Sequence, residues 1–211
     1  MDDAEDATIP KPAVRPLPAF PVPRRAPPVL PPALAAAGIG LRAARRADLP
    51  FLQTLYRVLR APEFALAPWS RAEREAVIRD QFELQHRHLL RDRPRADYWI
   101  IERAVPGTGG GATVPIGRYY LDRHGNLWRA LDMGLLPGKR GFGGALLNWT
   151  KTLAVAARAR GIDLHVAHDN VRAHALYRRL GFRDVDPPLD FHQRMIWLAE
   201  SEGASKGARD R

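Results

Sequence analysis

The chain has 211 residues, a formal net charge of +10 and 45% hydrophobic residues, which suits one globular domain with a real hydrophobic core. The absence of cysteine excludes disulfides, thiolate metal sites and a cysteine nucleophile, and it fits a reducing compartment. No apolar run reaches the ~18 residues that a membrane-spanning helix needs, and the acidic N-terminus has the wrong sign for a targeting signal. We therefore expect a soluble, cytoplasmic protein that makes no use of a membrane.

Charge and proline divide the chain into three parts. Residues 1–33 hold four acidic and four basic residues and ten of the 19 prolines, which predicts a disordered, extended tail. Residues 199–211 hold three acidic and three basic residues among small polar ones, and they predict a second disordered tail. The whole net charge therefore lies in residues 34–198, the expected folded domain.

The first half of this domain predicts one strand and two helices. The residue pattern of Gly40–Ala44 predicts a short strand, and Asp48 is placed to cap the first helix. The pattern breaks over Arg60–Trp69, which predicts a loop. Ser70 with Glu73 forms the capping-box pair that opens a second helix.

The second half predicts mostly strands. Strand-like segments and helical patterns alternate, and the glycine-rich turns between the first three segments indicate hairpins. Expected strands are 98–101, 114–121, 127–136, 162–168, 182–185 and 191–198, and expected helices are 142–156 and 170–180. This order predicts an α/β (α+β) fold, a mixed and mostly antiparallel sheet of about six to seven strands with helices on both faces.

A glycine-rich turn between a strand and a helix carries the first chemical signal. No acidic residue occurs from Met133 to Ile162, whereas five basic residues do. Backbone N–H groups at a glycine turn and a helix N-terminus bind anions, so the turn suits a phosphate or pyrophosphate. A flexible turn whose glycines serve close packing explains the pattern equally well. The missing Gly-Lys-Ser/Thr excludes a P-loop. The turn comprises Gly138, Lys139, Arg140, Gly141, Phe142, Gly143 and Gly144.

A second motif follows the turn, and the pair resembles a known family. Asn170, Ala173, Tyr177, Gly181 and Phe182 match the Asn-x-x-Ala-x-x-x-Tyr-x-x-x-Gly-Phe signature of the GNAT superfamily of acyl-CoA-dependent N-acyltransferases. The turn from residue 138 to residue 143 resembles the acyl-CoA motif of that family, except that glycine stands where Arg or Gln is usual. The resemblance covers roughly residues 39–198.

The resemblance implies which residues would hold acetyl-CoA. The strand-four backbone at Leu131, Met133 and Leu135 would pair with the pantetheine arm, and an N–H near Met133 would polarise the thioester. The glycine turn would hold the pyrophosphate, and Asn170 with Ala173 would border the pantetheine arm. Tyr177 would protonate the departing thiolate as general acid, since an ordinary phenol is protonated at neutral pH.

The base that deprotonates the acceptor amine is less well defined by the sequence. Asp132 is the first candidate, because regular alternation puts it on a small, open face of its strand with Trp128, Ala130 and Gly134. A carboxylate neutralised by a neighbouring arginine is an equally good interpretation. His165 and His168 lie on the next predicted strand on opposite faces, so at most one of them can face the cleft.

Two residues of the loop after the first helix are candidates for binding the acceptor. Glu63 and Trp69 fall where the family builds its acceptor pocket, and a carboxylate beside an aromatic ring suits a cationic amine. Packing at the entry of the second helix explains Trp69 equally well. His86 and His88 lack the spacing of an HExxH zinc pair, so we expect no metal.

The sequence as a whole predicts an N-acetyltransferase that moves an acetyl group from acetyl-CoA to a primary amine by direct attack in a ternary complex. A non-catalytic acyl-CoA-binding module on the same fold is the first alternative. A nucleic-acid-binding protein is a weaker one, because the aromatic residues do not interleave with the 29 arginines and 4 lysines as in a known module. The family often dimerises, but no segment indicates an interface.

Overall fold

The computed structural model describes residues 16–65, 67–107, 111–138, 141–185 and 191–199. Its strands are β1 (Ile39–Ala43), β2 (Asp97–Ala104), β3 (Thr113–Asp122), β4 (Leu127–Leu135), β5 (Gly161–Ala167), β6 (Arg183–Asp184) and β7 (His192–Leu198). They form one sheet in the order β1-β2-β3-β4-β5-β7-β6. Neighbours run antiparallel except β4 and β5, which run parallel. The expected mixed, mostly antiparallel sheet is confirmed.

The helices begin and end close to the positions that local sequence signals predict. Ser70 Oγ accepts a hydrogen bond from the Glu73 N–H at 3.2 Å, and the Glu73 carboxylate accepts one from the Ser70 N–H at 2.7 Å. This reciprocal pair is the predicted capping box. The helices of the described residues are α1 (Pro32–Ala36), α2 (Leu49–Arg60), α3 (Arg71–Asp92), α4 (Phe142–Ala156) and α5 (Val171–Arg179).

Each face of the sheet carries its own hydrophobic core. On the face covered by α4 and α5, here the α4 face, Leu146 and Trp149 pack against buried strand residues such as Leu164. On the opposite face, here the α2–α3 face, Leu52 and Phe82 pack with further apolar residues of the helices and strands. Helices on both faces therefore fix the twist and position of the central strands.

The prediction that the Asp48 side chain caps α2 is wrong. Both oxygens of the Asp48 carboxylate accept hydrogen bonds from Arg42 at 2.7 Å, and one accepts a third from the Arg45 N–H. A single 3₁₀ turn over Arg46–Asp48 precedes α2 and makes no side-chain cap for it. The carboxylate thus ties β1 to this turn, because two charge-assisted bonds from a half-buried arginine are stronger than one bond from a helix N–H.

The N-terminal segment (residues 16–31) differs from the solvated tail that its prolines predicted. The Phe20 ring lies 5.0 Å from the His86 ring, and His86 Nε2 is 2.9 Å from the Pro18 carbonyl oxygen. Further along, the Trp149 indole N–H donates to the Val29 carbonyl at 3.0 Å. The segment therefore contacts the α2–α3 face and then the α4 face. Proline has no N–H to satisfy, so an extended proline-rich segment can pack with few partners.

The two expected tails lie partly outside the described residues, namely residues 1–15 and 200–211. Of the helices that the structure describes, none could cross a bilayer. The longest, α3, has 22 residues but carries charged side chains along its length.

Candidate active site

The central feature of the site is a gap between β4 and β5. The two strands pair only from Leu127↔Gly161 to Ala130↔Leu164. Beyond this point β4 continues to Leu135 and β5 to Ala167 without pairing with each other. A cleft of about 570 Å³ opens there, with both strands among its walls.

A β-bulge at Leu131 explains where the strands part. The β3–β4 register changes from Tyr120↔Asp132 to Leu121↔Ala130, so Leu131 is an extra residue in β4. Such a bulge bends and twists its strand, which carries β4 away from β5. It also reverses the alternation of side chains beyond it.

The bulge overturns the expectation that Asp132 shares a face with Trp128, Ala130 and Gly134. Trp128 belongs to the core of the α4 face, whereas Tyr120, the cross-strand partner of Asp132, belongs to the core of the α2–α3 face. Of the three residues, only Gly134 lies on the same face of the strand as Asp132. Asp132 therefore enters the cleft from the α2–α3 face.

The backbone of Met133 faces the gap. The Leu136 N–H donates to the Ile116 carbonyl of β3 at 2.9 Å. Because N–H groups alternate between the two sides of a strand, those of Met133 and Leu135 point to the side from which β5 has diverged. An N–H in this position is free to polarise a carbonyl bound in the cleft, as the resemblance implied.

The N-terminus of α4 presents a row of backbone donors. The first hydrogen bond of the helix runs from the Ala145 N–H to the Gly141 carbonyl at 3.1 Å, so the N–H groups of Phe142, Gly143 and Gly144 have no carbonyl within the helix. Gly138 and Gly141 have positive φ of 82° and 88°, which shape the turn that leads into it. These features suit an anion. Lys139 and Arg140 lie outside the described residues.

Helix α5 and its N-cap bring two motif residues, Asn170 and Tyr177, to the other wall of the cleft, whereas Ala173 is not among the described lining residues. Asn170 Oδ1 accepts from the Ala173 N–H at 3.1 Å and so caps α5, which leaves the Asn170 amide NH₂ to donate. Tyr177 also lines the cleft. Burial, and in addition the negative charge of Asp132, raises the pKa of Tyr177, so its hydroxyl stays protonated at neutral pH.

Asp132 is held by a buried arginine. Arg118, whose side chain is only 5% exposed, donates from Nη2 to Asp132 Oδ2 at 2.6 Å. The guanidinium lies 5.6 Å from the ring centroids of both Tyr56 and Tyr120, a position that suits cation–π attraction. Sequence reasoning named Asp132 but not Arg118. The sequence does carry a signal for it, because Arg118 is the one arginine within the apolar strand β3, which pairs with the strand of Asp132.

Of the two residues predicted to bind the acceptor, one lines the cleft and the other does not. Glu63 lines the cleft and accepts two hydrogen bonds from Arg60 Nη1, at 2.8 Å and 3.0 Å. Trp69 is 39% exposed, stacks on Phe64 with ring centroids 5.9 Å apart, and is not among the described residues that line the cleft. The packing interpretation of Trp69 is the one its contacts support.

Two histidines also line the cleft. His165 lies on β5 just beyond the last β4–β5 pair and lines the cleft, as does His192 at the start of β7. His168 follows the end of β5 and is not among the described lining residues. Nothing in the sequence singled out His192, because its place beside β5 depends on long-range strand pairing. Within the described ranges, no three His, Asp or Glu side chains are grouped as a metal site requires.

An open α/β layer whose central parallel pair splits beside a helix N-terminus is the framework of an acyl-transfer enzyme. The sequence matches the acetyltransferase (GNAT) family over residues 53–182, more than half of the chain. The chain therefore belongs to this family, as its motifs indicated.

Solved structures of N-acetyltransferases share the fold. PaiA N-acetyltransferase from Thermoplasma acidophilum, in complex with coenzyme A, is 18% identical with a TM-score of 0.55, over 76% of this chain and 99% of that one. Spermidine N-acetyltransferase from Vibrio cholerae, in complex with CoA and spermine, is 21% identical with a TM-score of 0.52, over 76% and 95%. At these identities the likeness concerns the fold. No curated protein matches the chain by sequence.

Proposed function

We propose that the protein transfers an acetyl group from acetyl-CoA to a primary amine, by direct attack of the amine on the thioester in a ternary complex. The observation that carries this proposal is the gap between β4 and β5, since one cleft collects a free strand backbone, the α5 tyrosine and the α5 N-cap. The N-terminus of α4 follows β4 directly. Each of these parts meets a separate demand of acyl transfer.

The donor side of the cleft fits acetyl-CoA. The N–H groups of Phe142, Gly143 and Gly144 are free to donate hydrogen bonds to the diphosphate, and the helix dipole adds partial positive charge there. The backbone of Met133 and Leu135 offers hydrogen bonds to the amide groups of the pantetheine arm. The donor would then run along β4 with its thioester close to the Leu131 bulge.

The chemistry requires one bond to form, one to break and two protons to move. The neutral amine nitrogen attacks the thioester carbon, whose oxygen accepts from the Met133 N–H as negative charge develops. The C–S bond then breaks, and the thiolate takes a proton from the Tyr177 hydroxyl. The nitrogen gives up its proton to a base. Because no covalent enzyme intermediate is needed, the lack of cysteine is no obstacle.

The acceptor side argues against a polyamine. A polyamine carries several positive charges and needs carboxylates that are free to pair with it. Glu63 is already paired with Arg60 and Asp132 with Arg118, which leaves Asp169, just before α5, as the one carboxylate of the described lining with no described ion pair. We therefore infer an acceptor with a single amine, bound between the α2 end and β5, and expect spermidine to be a poor substrate.

The test follows release of free thiol from acetyl-CoA against a panel of monoamines, amino acids, peptides and spermidine. Release that depends on an amine supports the proposal. Saturable CoA binding without turnover on any amine would favour the non-catalytic module instead. Binding to an oligonucleotide that collapses at raised salt, beside CoA binding that persists, would reject the nucleic-acid alternative.

A further inference from the structure

We propose that His165, rather than Asp132, takes the proton from the acceptor amine; this rests on the proposed acetyl transfer. His165 is the first residue of β5 past its last pairing with β4, on the α2–α3 face. It thus stands at the mouth of the gap, opposite the Leu131 bulge.

His165 also joins two cavities. A second cavity of about 200 Å³ adjoins the main cleft, and the two share the linings Ala130, Leu131 and His165. An acceptor that enters through the second cavity would pass the imidazole on its way to the thioester. The other residues around this second cavity are His88, Leu89, Asp92, Arg93 and Arg129.

Partial burial, together with nearby positive charges, keeps the His165 ring neutral. Asp163, 1% exposed, accepts from Arg129 at 2.9 Å and from Arg194 at 3.0 Å, so two guanidinium groups lie on the same strand face as His165. Burial lowers the pKa of His165, and the charges of Arg129, Arg194 and His192 lower it further against the opposing effect of Asp163. Across the second cavity, α3 presents His88 and Asp92, which bond to each other, and Arg93 follows them. A neutral imidazole has a nitrogen ready to accept a proton.

The carboxylates of the cleft are worse placed for this role. Asp169 follows the end of β5 and is not among the described residues that line the second cavity, and the other two are paired with arginines. Accepting a proton on Asp132 would weaken its bond to Arg118 and leave a buried arginine without its anion, which is costly. Glu63 would have to give up both bonds from Arg60. Asp132 is better explained as the group that pairs with Arg118 and adds to the rise in the pKa of Tyr177 that burial causes.

The experiment compares His165→Gln with His168→Gln. Both residues are exposed and lie three positions apart, but His168 is not among the described residues that line the cleft. For His165→Gln we expect a loss of about 100-fold in kcat at pH 7, with CoA affinity retained. The loss should shrink as the pH rises, because solvent then deprotonates the amine. His168→Gln should keep the wild-type rate.

The result that would overturn the inference is an active wild type whose His165→Gln variant has the same kcat and pH profile. The inference is also overturned if Asp132→Asn loses more kcat than His165→Gln and this loss shrinks at alkaline pH. Asp132 would then be the group that takes the proton. If the wild type acetylates no amine of the panel, the proposed function fails, and the inference falls with it. These outcomes separate the two proposals.

Discussion

Gly143 offers the sharpest test of how α4 is seated against β4. A Cβ at this position would lie 3.5 Å from Met133 Sδ and 3.7 Å from Leu135 Cδ1, which is ordinary contact. Gly143→Ala therefore fits without strain. Replacing glycine by alanine inside a helix raises the free energy of unfolding by roughly 0.5–1 kcal/mol, so we expect the alanine variant to be as stable as the wild type or more so.

Gly143→Val should behave differently because it branches at Cβ. Each γ carbon lies ~1.5 Å beyond a Cβ that already touches Met133 and Leu135. Overpacking of this kind costs about 1–3 kcal/mol, and the helix can relieve it only by moving its N-terminus away from β4. A lost charge-assisted hydrogen bond to the diphosphate weakens binding by about tenfold or more, so the KM for acetyl-CoA should rise by that factor.

Both variants are tested by measuring urea unfolding and the KM for acetyl-CoA. A valine variant with wild-type stability and KM would refute the idea that close helix–strand packing positions the donors. An alanine variant whose KM rises as much as that of valine would show that the Cβ itself obstructs the donor.

Three further predictions concern the acid, a buried carboxylate and the N-terminal segment. Tyr177→Phe should lower kcat by about 100-fold with little change in the KM for acetyl-CoA; an unchanged kcat would exclude Tyr177 as general acid. Burial raises the pKa of Asp163, but the bonds from Arg129 and Arg194 outweigh it and lower the pKa. Stability from this group is therefore complete above about pH 4 and is lost as the pH falls through the lower, folded value. Asp163→Asn should cost about 2 kcal/mol at pH 7, because both arginines still reach solvent, and urea unfolding at pH 7 and at pH 3 should show a smaller cost at pH 3. Phe20→Ala should lower the free energy of unfolding by about 2 kcal/mol; no change would mean that the N-terminal segment adds nothing to stability.

Local signals in the sequence predicted most of the fold. The capping box at Ser70 and the span of α4 depend on residues within a few positions of one another, so they are legible without the tertiary structure. The motif residues Asn170 and Tyr177 likewise share one short helix, and both line the cleft.

The errors arise where a residue could have contacted more than one partner, whether that partner lies on another strand or only a few positions away. The bulge at Leu131 exists only in the pairing of β4 with β3, and it moved Asp132 to the other face. Arg42 draws Asp48 away from the cap of α2. The aromatic ring of Trp69 stacks on Phe64 and does not line the cleft. Composition alone could not reveal which side chains would be available as partners.

The N-terminal segment also has a consequence for the order of folding. Its bond to His86 joins residues 68 positions apart, and its bond to Trp149 joins residues 120 positions apart. Such closures carry a large entropy cost until the rest of the structure is in place, so they form late. On a ribosome this segment would emerge before both surfaces that it contacts, and α4 would be synthesised long after it. Residues 16–31 are thus made early but reach their final contacts late.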